Sequence, residues 1–392
     1  MKNIYIFSTK DKISTSRYFQ KAAKNLFDRV YYLTNQKEFD LIKNRIKVYD
    51  IFFFIDPTND FPLGIEKINC LKITYLLDTH INYFHSSKVL SRFQLNHRLL
   101  LSSFFDCVFI YYKQHLNEFI KFKYPSKKRA KQKKDIHWSP VACEPSVHYQ
   151  NLNNKRNYDI SFVGQMGPKI SFRYKFLTKI FFSNDLSNVK KKYANNISDK
   201  LMSRIYSQSK IVPNVSVNED INNRHYEVMA AGCLLLTNTK KNSGIEKLFK
   251  ENVDYVSYST EQDAIRKINY FLNNPVIRKK IVRNGQKKVL NYHTYERRLE
   301  NMIKLSKNLN NNSSSANFNL IKLAEEYSKI YCILRKPKQI IRVIQNYGFN
   351  SLILKNLILA ILRSINVRIP LTKNAIKEYF FVKKINKLYY KV

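Results

Sequence analysis

Short apolar runs alternate with amphipathic segments along the first part of the chain. The apolar runs stand at 3–9, 29–34, 50–56, 72–78 and 107–112. Continuous runs of this length are typical of strands buried on both faces of a sheet. The segments around 14–27 and 85–103 have helical periodicity, and 136–143 has the pattern of one more strand. Residues 1–150 are therefore predicted to form a parallel sheet covered by helices.

The same alternation begins again after a polar stretch, 148–157, that is typical of a linker. The second set of predicted strands is 158–165, 210–217, 233–238 and 253–259. Predicted helices lie between them at 171–182, 198–208, 222–231 and from Thr260 to about 273. Two such halves predict an α/β protein with two doubly wound, Rossmann-like domains, 1–150 and 158–305, that face a cleft. Ligands of these sheets bind at the carboxyl ends of the strands.

Residues 306–392 have a different composition. From residue 301 onward the chain carries 17 Lys or Arg and 3 acidic residues, and "NNNSSSAN" at 310–317 is typical of a flexible joint. The segment 351–365 is predicted to be a broadly apolar helix. Two interpretations fit that helix, packing against the rest of the chain or lying on a membrane surface. We expect a basic helical extension.

Charge and cysteine content narrow the class of protein. The 392 residues include 69 Lys or Arg against 29 Asp or Glu, a formal charge of +40, and 44% are hydrophobic. That hydrophobic content excludes a disordered polycation, and the charge favours anionic partners such as nucleotides, lipid surfaces or acidic glycans. Nucleic acid is not favoured, because no recognition module appears. The five cysteines form no CxxC pair, no secretory signal opens the chain, and no apolar run approaches the about 18–20 residues of a membrane span. We expect a cytoplasmic protein with reduced cysteines.

The stretch "NEDINNRHYEVMAAGCLLLTN" predicts a short helix that runs into a buried strand. Asn222 or Asn223 suits the N-cap, and Gly232 suits the left-handed position after the helix. The helix N-terminus and Arg224 suit a diphosphate, and the Glu227 carboxylate suits a ribose diol. The alternative is a surface helix with an ion pair between these two residues.

Two further groups of residues stand at predicted strand ends. In "FVGQMGPKISFRYKF", Gly164 and Gly167 would allow phosphates to approach the backbone, and Lys169 or Arg173 would neutralise them. In "LLDTHINYFH", Asp78 and His80 would face the cleft, where they could orient an acceptor hydroxyl or take its proton. The alternatives are an N-cap aspartate and a structural histidine. No metal-binding motif is present, so no metal site is predicted.

The second half of the chain resembles bacterial glycosyltransferases with the GT-B fold, and most of all the spore-maturation, CgeB-type group within the family 1-like enzymes. That group shows an Arg-x-Phe-Glu-x-x-Ala-x-Gly core, a strand, a Glu-Leu-Phe helix and a closing His-Thr-Tyr segment. The corresponding residues here are Arg224, Tyr226, Glu227, Ala230, Gly232, Glu246, Leu248, Phe249, His293, Thr294 and Tyr295. The match covers roughly 158–305, whereas the first half matches in architecture alone.

The resemblance implies a metal-independent glycosyltransferase whose co-substrate is a nucleotide sugar, with no separate cofactor. It implies that Glu227 binds the ribose and that Glu219 lies near the donor sugar, with retention of configuration favoured. Glu219 as loop decoration is the alternative. Glu246 resembles an acid that lies near the donor sugar. An equally weighted alternative is that Glu246 is an acid in the first turn of a helix, where it interacts favourably with the helix dipole. If the enzyme inverts, Asp78 or His80 becomes the required base.

The expected acceptor is a cell-envelope glycan, a lipid-linked glycan or a protein, bound by the first domain. The basic loop 121–134 and the extension indicate peripheral attachment to an anionic membrane at its inner face, with solvated disorder of the loop as the alternative. A rival function is a non-catalytic protein that binds polyanions or membranes on a GT-B scaffold.

Overall fold

The computed structural model describes residues 3–9, 15–56, 60–77, 98–122, 135–150, 153–167, 169–182, 184–216, 220–238, 243–307 and 319–364. Helices and strands are numbered over these residues. Asp78, His80 and Glu219 lie outside the described residues, and so does most of the basic loop 121–134.

The first domain contains a parallel six-stranded sheet. Its strands are β1 Asn3–Phe7, β2 Arg29–Leu33, β3 Ile51–Asp56, β4 Leu71–Leu76, β5 Cys107–Ile110 and β6 Ile136–Trp138. They lie in the order β2-β1-β3-β4-β5-β6, and every neighbouring pair is parallel. The described helices of this half are α1 Ser16–Leu26, α2 Gln36–Ile42, α3 Leu116–Lys121 and α4 Pro145–His148. Every residue of β3 is buried, as expected for an apolar strand covered on both faces.

The second domain contains a parallel five-stranded sheet. Its strands are β7 Tyr158–Val163, β8 Lys191–Ala194, β9 Ser209–Asn214, β10 Leu234–Thr237 and β11 Val256–Ser257. Their order is β11-β10-β9-β7-β8. The helices are α5 Phe172–Phe182, α6 Asp199–Ser207, α7 Asn223–Ala230, α8 Glu261–Asn273, α9 Pro275–Tyr292 and α10 Tyr295–Lys307. These two sheets confirm the predicted fold class, a GT-B arrangement of two Rossmann-like domains.

Three details differ from the predicted elements. Strand β8 was not expected, because it is a half-buried edge strand that begins with two lysines and lacks an apolar run. The segment that corresponds to the Glu-Leu-Phe helix of the resembled group is a single 3₁₀ turn, Ile245–Lys247, and the predicted strand at 253–259 shortens to β11. By contrast, the Thr260 side chain accepts a hydrogen bond from the Asp263 N–H (3.1 Å), which confirms that cap. All five cysteines lie within the described residues, where they are buried and form no disulfide bond.

The last helix of the second domain, α10, packs back onto the first domain. The Tyr295 ring lies 5.1 Å from the rings of both Tyr18 and Phe19 on α1. The Cys143 N–H donates to the His293 carbonyl (2.9 Å), and the Tyr295 N–H donates to the Cys143 carbonyl (3.0 Å). One hydrophobic cluster therefore runs through both domains.

The extension contains α11 Leu320–Ile333, α12 Pro337–Tyr347 and α13 Ser351–Ser364, which pack on the first domain. The Gly64 N–H donates to the Tyr327 hydroxyl (3.0 Å), and the Tyr331 hydroxyl donates to the Phe61 carbonyl (2.7 Å). The Tyr327 and Tyr347 hydroxyls donate to the two carboxylate oxygens of Glu66, each at 2.5 Å. Tyrosines thus join this part of the chain to a loop about 260 residues earlier. Within the described ranges, no helix is both long enough and apolar enough to cross a bilayer.

Candidate functional site

The N-terminus of α7 lies beside the carboxyl ends of β7 and β9. Asn222 caps this helix with extended backbone angles, and its carbonyl accepts the His225 N–H (3.1 Å). Gly232 has a φ of +69° just after the helix end. Both caps agree with the sequence prediction. A helix N-terminus placed at this edge of a parallel sheet presents free N–H groups and partial positive charge to a ligand.

Arg224, in the first turn of α7, is held from three sides. Its Nη2 donates to the Val163 carbonyl (2.8 Å), its Nη1 to Asn214 Oδ1 (2.9 Å) and its Nε to the Tyr206 hydroxyl (3.2 Å). The guanidinium also lies over the Phe162 ring, 4.2 Å from its centroid. The sheet therefore fixes both the position and the direction of this cation.

Gly164 makes room for that guanidinium. Its φ is +136°, and a Cβ added there would lie 2.7 Å from Arg224 Nη2. The sequence predicts that Gly164 allows a phosphate to approach the backbone. In the structure the missing side chain admits Arg224, which carries the positive charge to the same edge of the sheet.

Asn214, the last residue of β9, is a residue that the sequence analysis missed. Its Oδ1 accepts from Arg224, and its Nδ2 donates to Thr237 Oγ1 (3.0 Å) at the end of β10. The buried His225 ring lies 3.4 Å from the same Nδ2, and burial lowers the His225 pKa to about 4, so the ring is neutral. The sequence signal that could have identified Asn214 is a polar amide side chain at the end of an otherwise apolar strand.

Arg173, in the first turn of α5, is a second half-buried cation next to Arg224. Its Nη2 donates to the Val215 carbonyl (3.0 Å), and its Nε is buried without a hydrogen-bond partner among the described atoms. Burial, together with the positive charge of Arg224, lowers the Arg173 pKa to about 10. In the part of the chain that the structure describes, neither guanidinium has a carboxylate within ion-pair distance. Lys169, the alternative to Arg173, is exposed.

Glu227 lies one helical turn after Arg224 and is half-buried. Burial raises its pKa to about 7, and the charge of Arg224 opposes that shift. No described side chain forms a hydrogen bond or ion pair with its carboxylate, so the surface ion pair considered as an alternative does not form. The structure thus brings Gly164, Arg173, Arg224 and Glu227 to one edge of the second sheet.

Glu246 lies at the contact between the domains. Its Oε1 is 3.0 Å from Lys113 Nζ, and about half of its side chain is exposed. Gly244, with a φ of +86°, admits the Lys113 side chain and the Trp138 ring, because a Cβ there would meet them at 2.6 and 2.7 Å. On the same side, the Tyr111 hydroxyl donates to Asp220 Oδ2 (2.8 Å). Glu246 is therefore part of the contact between the two domains.

Comparisons with known proteins agree with this geometry. Residues 150–304 match the model of the family described as "Glycosyl transferase-like". The match spans the second domain, which is less than half of the chain. Together with the fold, this match supports the prediction that the chain is a nucleotide-sugar-dependent glycosyltransferase. No curated protein matches the chain.

Three solved structures share the two-domain fold at low sequence identity. HepE of Anabaena is 13% identical, with a TM-score of 0.52 over 78% of this chain and 100% of that one. Sucrose-phosphate synthase of Thermosynechococcus elongatus is 11% identical, with a TM-score of 0.55 over 79% and 99%. A glycosyltransferase of Rickettsia africae is 14% identical, with a TM-score of 0.51 over 79% and 99%. At these identities the similarity extends to the fold alone.

Proposed function

We propose that this glycosyltransferase holds the diphosphate of its donor between Arg173, Arg224 and the N-terminus of α7. The single observation that carries the proposal is the pair of half-buried guanidiniums that have no carboxylate within ion-pair distance among the described residues. Burying two like charges is unfavourable, and a diphosphate supplies the charge that would offset it. The same cations would stabilise the negative charge that develops on the leaving diphosphate.

Glu227 is the proposed ribose ligand. No described side chain forms a hydrogen bond with its carboxylate, which lies one turn beyond the proposed diphosphate site, and a ribose diol can donate two hydrogen bonds to a carboxylate. Desolvation of this carboxylate has a cost that those two bonds would offset. Gly164 and Asn214 act through Arg224, the first by leaving space for it and the second by accepting its hydrogen bond.

UDP is the nucleotide to test first. HepE of Anabaena was solved in complex with UDP, and an alpha-glucosyltransferase with a TM-score of 0.55 and 10% identity was solved with UDP-glucose and DNA. Assignment to the CgeB-type group within the GT-B enzymes remains our hypothesis, carried by the Arg224–Gly232 motif and the closing His293–Tyr295 segment.

Metal independence, retention and the acceptor site are further parts of the proposal. Two guanidiniums and a helix N-terminus can neutralise the donor diphosphate, so we expect no metal requirement. Retention depends on Glu219 near the donor sugar, and acceptor binding depends on Asp78 and His80. We expect the acceptor to be an envelope glycan, a lipid-linked glycan or a protein, and the basic surface to hold the enzyme peripherally on an anionic membrane.

The rival function is a non-catalytic protein on the same scaffold, favoured by the charge of +40, which far exceeds what a diphosphate requires. A panel of nucleotide sugars discriminates the two. We expect one donor to raise the melting temperature and to release nucleoside diphosphate in the presence of acceptor extract. NMR of the product would show whether the anomeric configuration is retained. If no nucleotide sugar stabilises the folded protein, the rival function is correct.

A further inference from the structure

Helix α13 has two faces of different character. Ile353, Asn356 and Ala360 are buried against the other two helices of the extension, and Asn356 Nδ2 donates to Ser328 Oγ (2.8 Å) on α11. The opposite face consists of Leu354, Ile358, Ile361 and Leu362, which are 42%, 50%, 40% and 38% exposed. Their spacing places them on one side of the helix. We call these four residues the α13 apolar face.

The extension exposes two more large apolar side chains beside those of the α13 apolar face. Phe349, just before the helix, is 54% exposed, and Ile321 of α11 is 41% exposed. Gly348, which precedes Phe349, lies against Ile321, because a Cβ added to Gly348 would lie 3.1 Å from Ile321 Cδ1. Four large apolar side chains exposed on one side of a helix form an apolar patch, and such patches mark sites of interaction.

The charges around the α13 apolar face are almost all positive. Residues 319–364 contain eight Lys or Arg and two Glu, and both acids are on α11. Glu326 accepts a hydrogen bond from Ser103 Oγ (3.0 Å), and Glu325 accepts one from Asn350 Nδ2 (2.8 Å). Helices α12 and α13 contain no acidic residue, and Lys355 is exposed on α13. The partner must therefore combine an apolar layer with negative charge.

We propose that the α13 apolar face inserts into the surface of an anionic phospholipid membrane. This deepens the membrane association in the proposed function and names the surface responsible for it. A helix that buries apolar side chains at the acyl boundary, with cations near the headgroups, has the chemistry of an interfacial helix. A second copy of the chain fits poorly, because two molecules of charge +40 repel each other.

Vesicle flotation with paired variants tests the proposal. Leu354→Glu/Ile358→Glu changes the α13 apolar face, and Val276→Glu/Ile277→Glu changes two exposed apolar residues of α9 by the same charge. With vesicles containing phosphatidylglycerol, we expect the first variant to bind at least about tenfold more weakly than the wild type and the second to stay within about threefold. Equal loss in both variants would mean that net charge alone governs binding, and would overturn the proposal. The proposal would also be overturned if the wild type bound pure phosphatidylcholine vesicles as strongly as vesicles containing phosphatidylglycerol.

Thiol labelling tests whether the face is open in solution. The five native cysteines are buried, so an introduced Ile358→Cys thiol reacts against a low background. We expect fast maleimide labelling in solution and protection of at least about tenfold on addition of phosphatidylglycerol vesicles, whereas a Val276→Cys control stays reactive. Slow labelling in solution would mean that another part of the chain or a second copy covers the face. Light scattering at the same concentration would separate these two outcomes, and either one would overturn the proposal.

Measuring UDP binding of the same variants distinguishes a failure of the membrane proposal from a failure of the proposed transferase function. Both double variants should bind UDP as the wild type does, because α9 and α13 contribute no residue to the Arg173–Arg224 site. Loss of vesicle binding with normal UDP binding supports the membrane face. Normal vesicle binding without any nucleotide binding would overturn the transferase function alone.

Discussion

In the first domain the Arg98 guanidinium donates to the Asp56 carboxylate at 2.8 Å, whereas in the second domain Arg173 and Arg224 have no carboxylate within ion-pair distance among the described residues. Asp56 is the last residue of β3, so both sets of cations lie beside the carboxyl end of a parallel sheet. The Arg98–Asp56 pair is almost fully buried, with 6% and 3% of the side chains exposed. Half-buried arginines left without a carboxylate indicate an anionic ligand, while a paired buried arginine indicates a structural role.

The largest expected effect is on the paired arginine. Arg98→Ala should lower the free energy of unfolding by about 3–5 kcal/mol, because it leaves the Asp56 carboxylate buried without its partner. Urea denaturation measures this loss. The control is Arg98→Ala/Asp56→Ala, which removes both charges and should recover part of the stability. A single variant as stable as the wild type would contradict the structural role of the pair.

For Arg173, which has no carboxylate partner among the described residues, substitution should affect UDP binding more than stability. Arg173→Leu should weaken UDP binding by about 1.5–3 kcal/mol, because a hydrogen bond to a charged group is lost. The same change should leave thermal stability unchanged or raise it, since the wild-type guanidinium is desolvated and has no carboxylate partner among the described residues. Calorimetry and a melting curve measure both quantities. The matched control is Arg266→Leu, which removes an exposed arginine paired with Asp263 and should leave UDP binding unchanged.

The third prediction concerns pH. Because burial raises the Glu227 pKa to about 7, UDP should bind more weakly as the pH falls from 8 to 6 and the carboxylate is protonated. The terminal phosphate of UDP has a pKa of about 6, so its protonation over the same range also weakens binding. Glu227→Gln should therefore show a shallower pH dependence and weaker binding at pH 8. Identical slopes in calorimetry for both proteins would remove Glu227 from the ribose site.

Glu227 should affect folding stability and UDP binding with opposite pH dependence. The folded state holds the Glu227 proton to a higher pH than the unfolded chain does, so this residue favours folding at low pH. That contribution is lost as the pH rises through about 7. Glu227→Gln should reduce this part of the pH dependence of unfolding in the absence of nucleotide.

Local chemical signals made α7 predictable from sequence. Asn222 as the cap, Gly232 after the helix and the apolar strand that follows are all encoded within about 15 residues. The β strands of both sheets other than β8 were predicted for a similar reason, since continuous apolar runs such as that of β3 have few alternative structures.

Residues whose role depends on distant neighbours were not predictable in the same way. Asn214 orients Arg224 through a contact across the sheet edge, and its position at the end of an apolar run does not show which distant residue it contacts. The Lys113–Glu246 pair joins residues 133 positions apart, so the sequence left the role of Glu246 open. The packing of the extension depends on contacts such as Tyr327 with Gly64, which only the folded chain brings together.

The smallest expected effect distinguishes two glycines that both have a positive φ, +92° at Gly64 and +136° at Gly164. Gly64 in the first domain has a φ of +92° with nothing within 4 Å of an added Cβ, whereas at Gly164 the added Cβ would lie 2.7 Å from Arg224 Nη2. Gly64→Ala and Gly164→Ala should each lower the free energy of unfolding by about 1–3 kcal/mol, because an L residue seldom adopts these values of φ.

Only the Gly164 variant should also weaken UDP binding, by about threefold to tenfold, because the new methyl group displaces the guanidinium that the sheet otherwise fixes. Denaturation and calorimetry on both variants separate the backbone strain from the displacement of Arg224. If the two variants bind UDP equally well, the Arg224 guanidinium tolerates a shift at this edge. The precise placement of the cation by Val163, Asn214 and Phe162 would then matter less for binding than its charge.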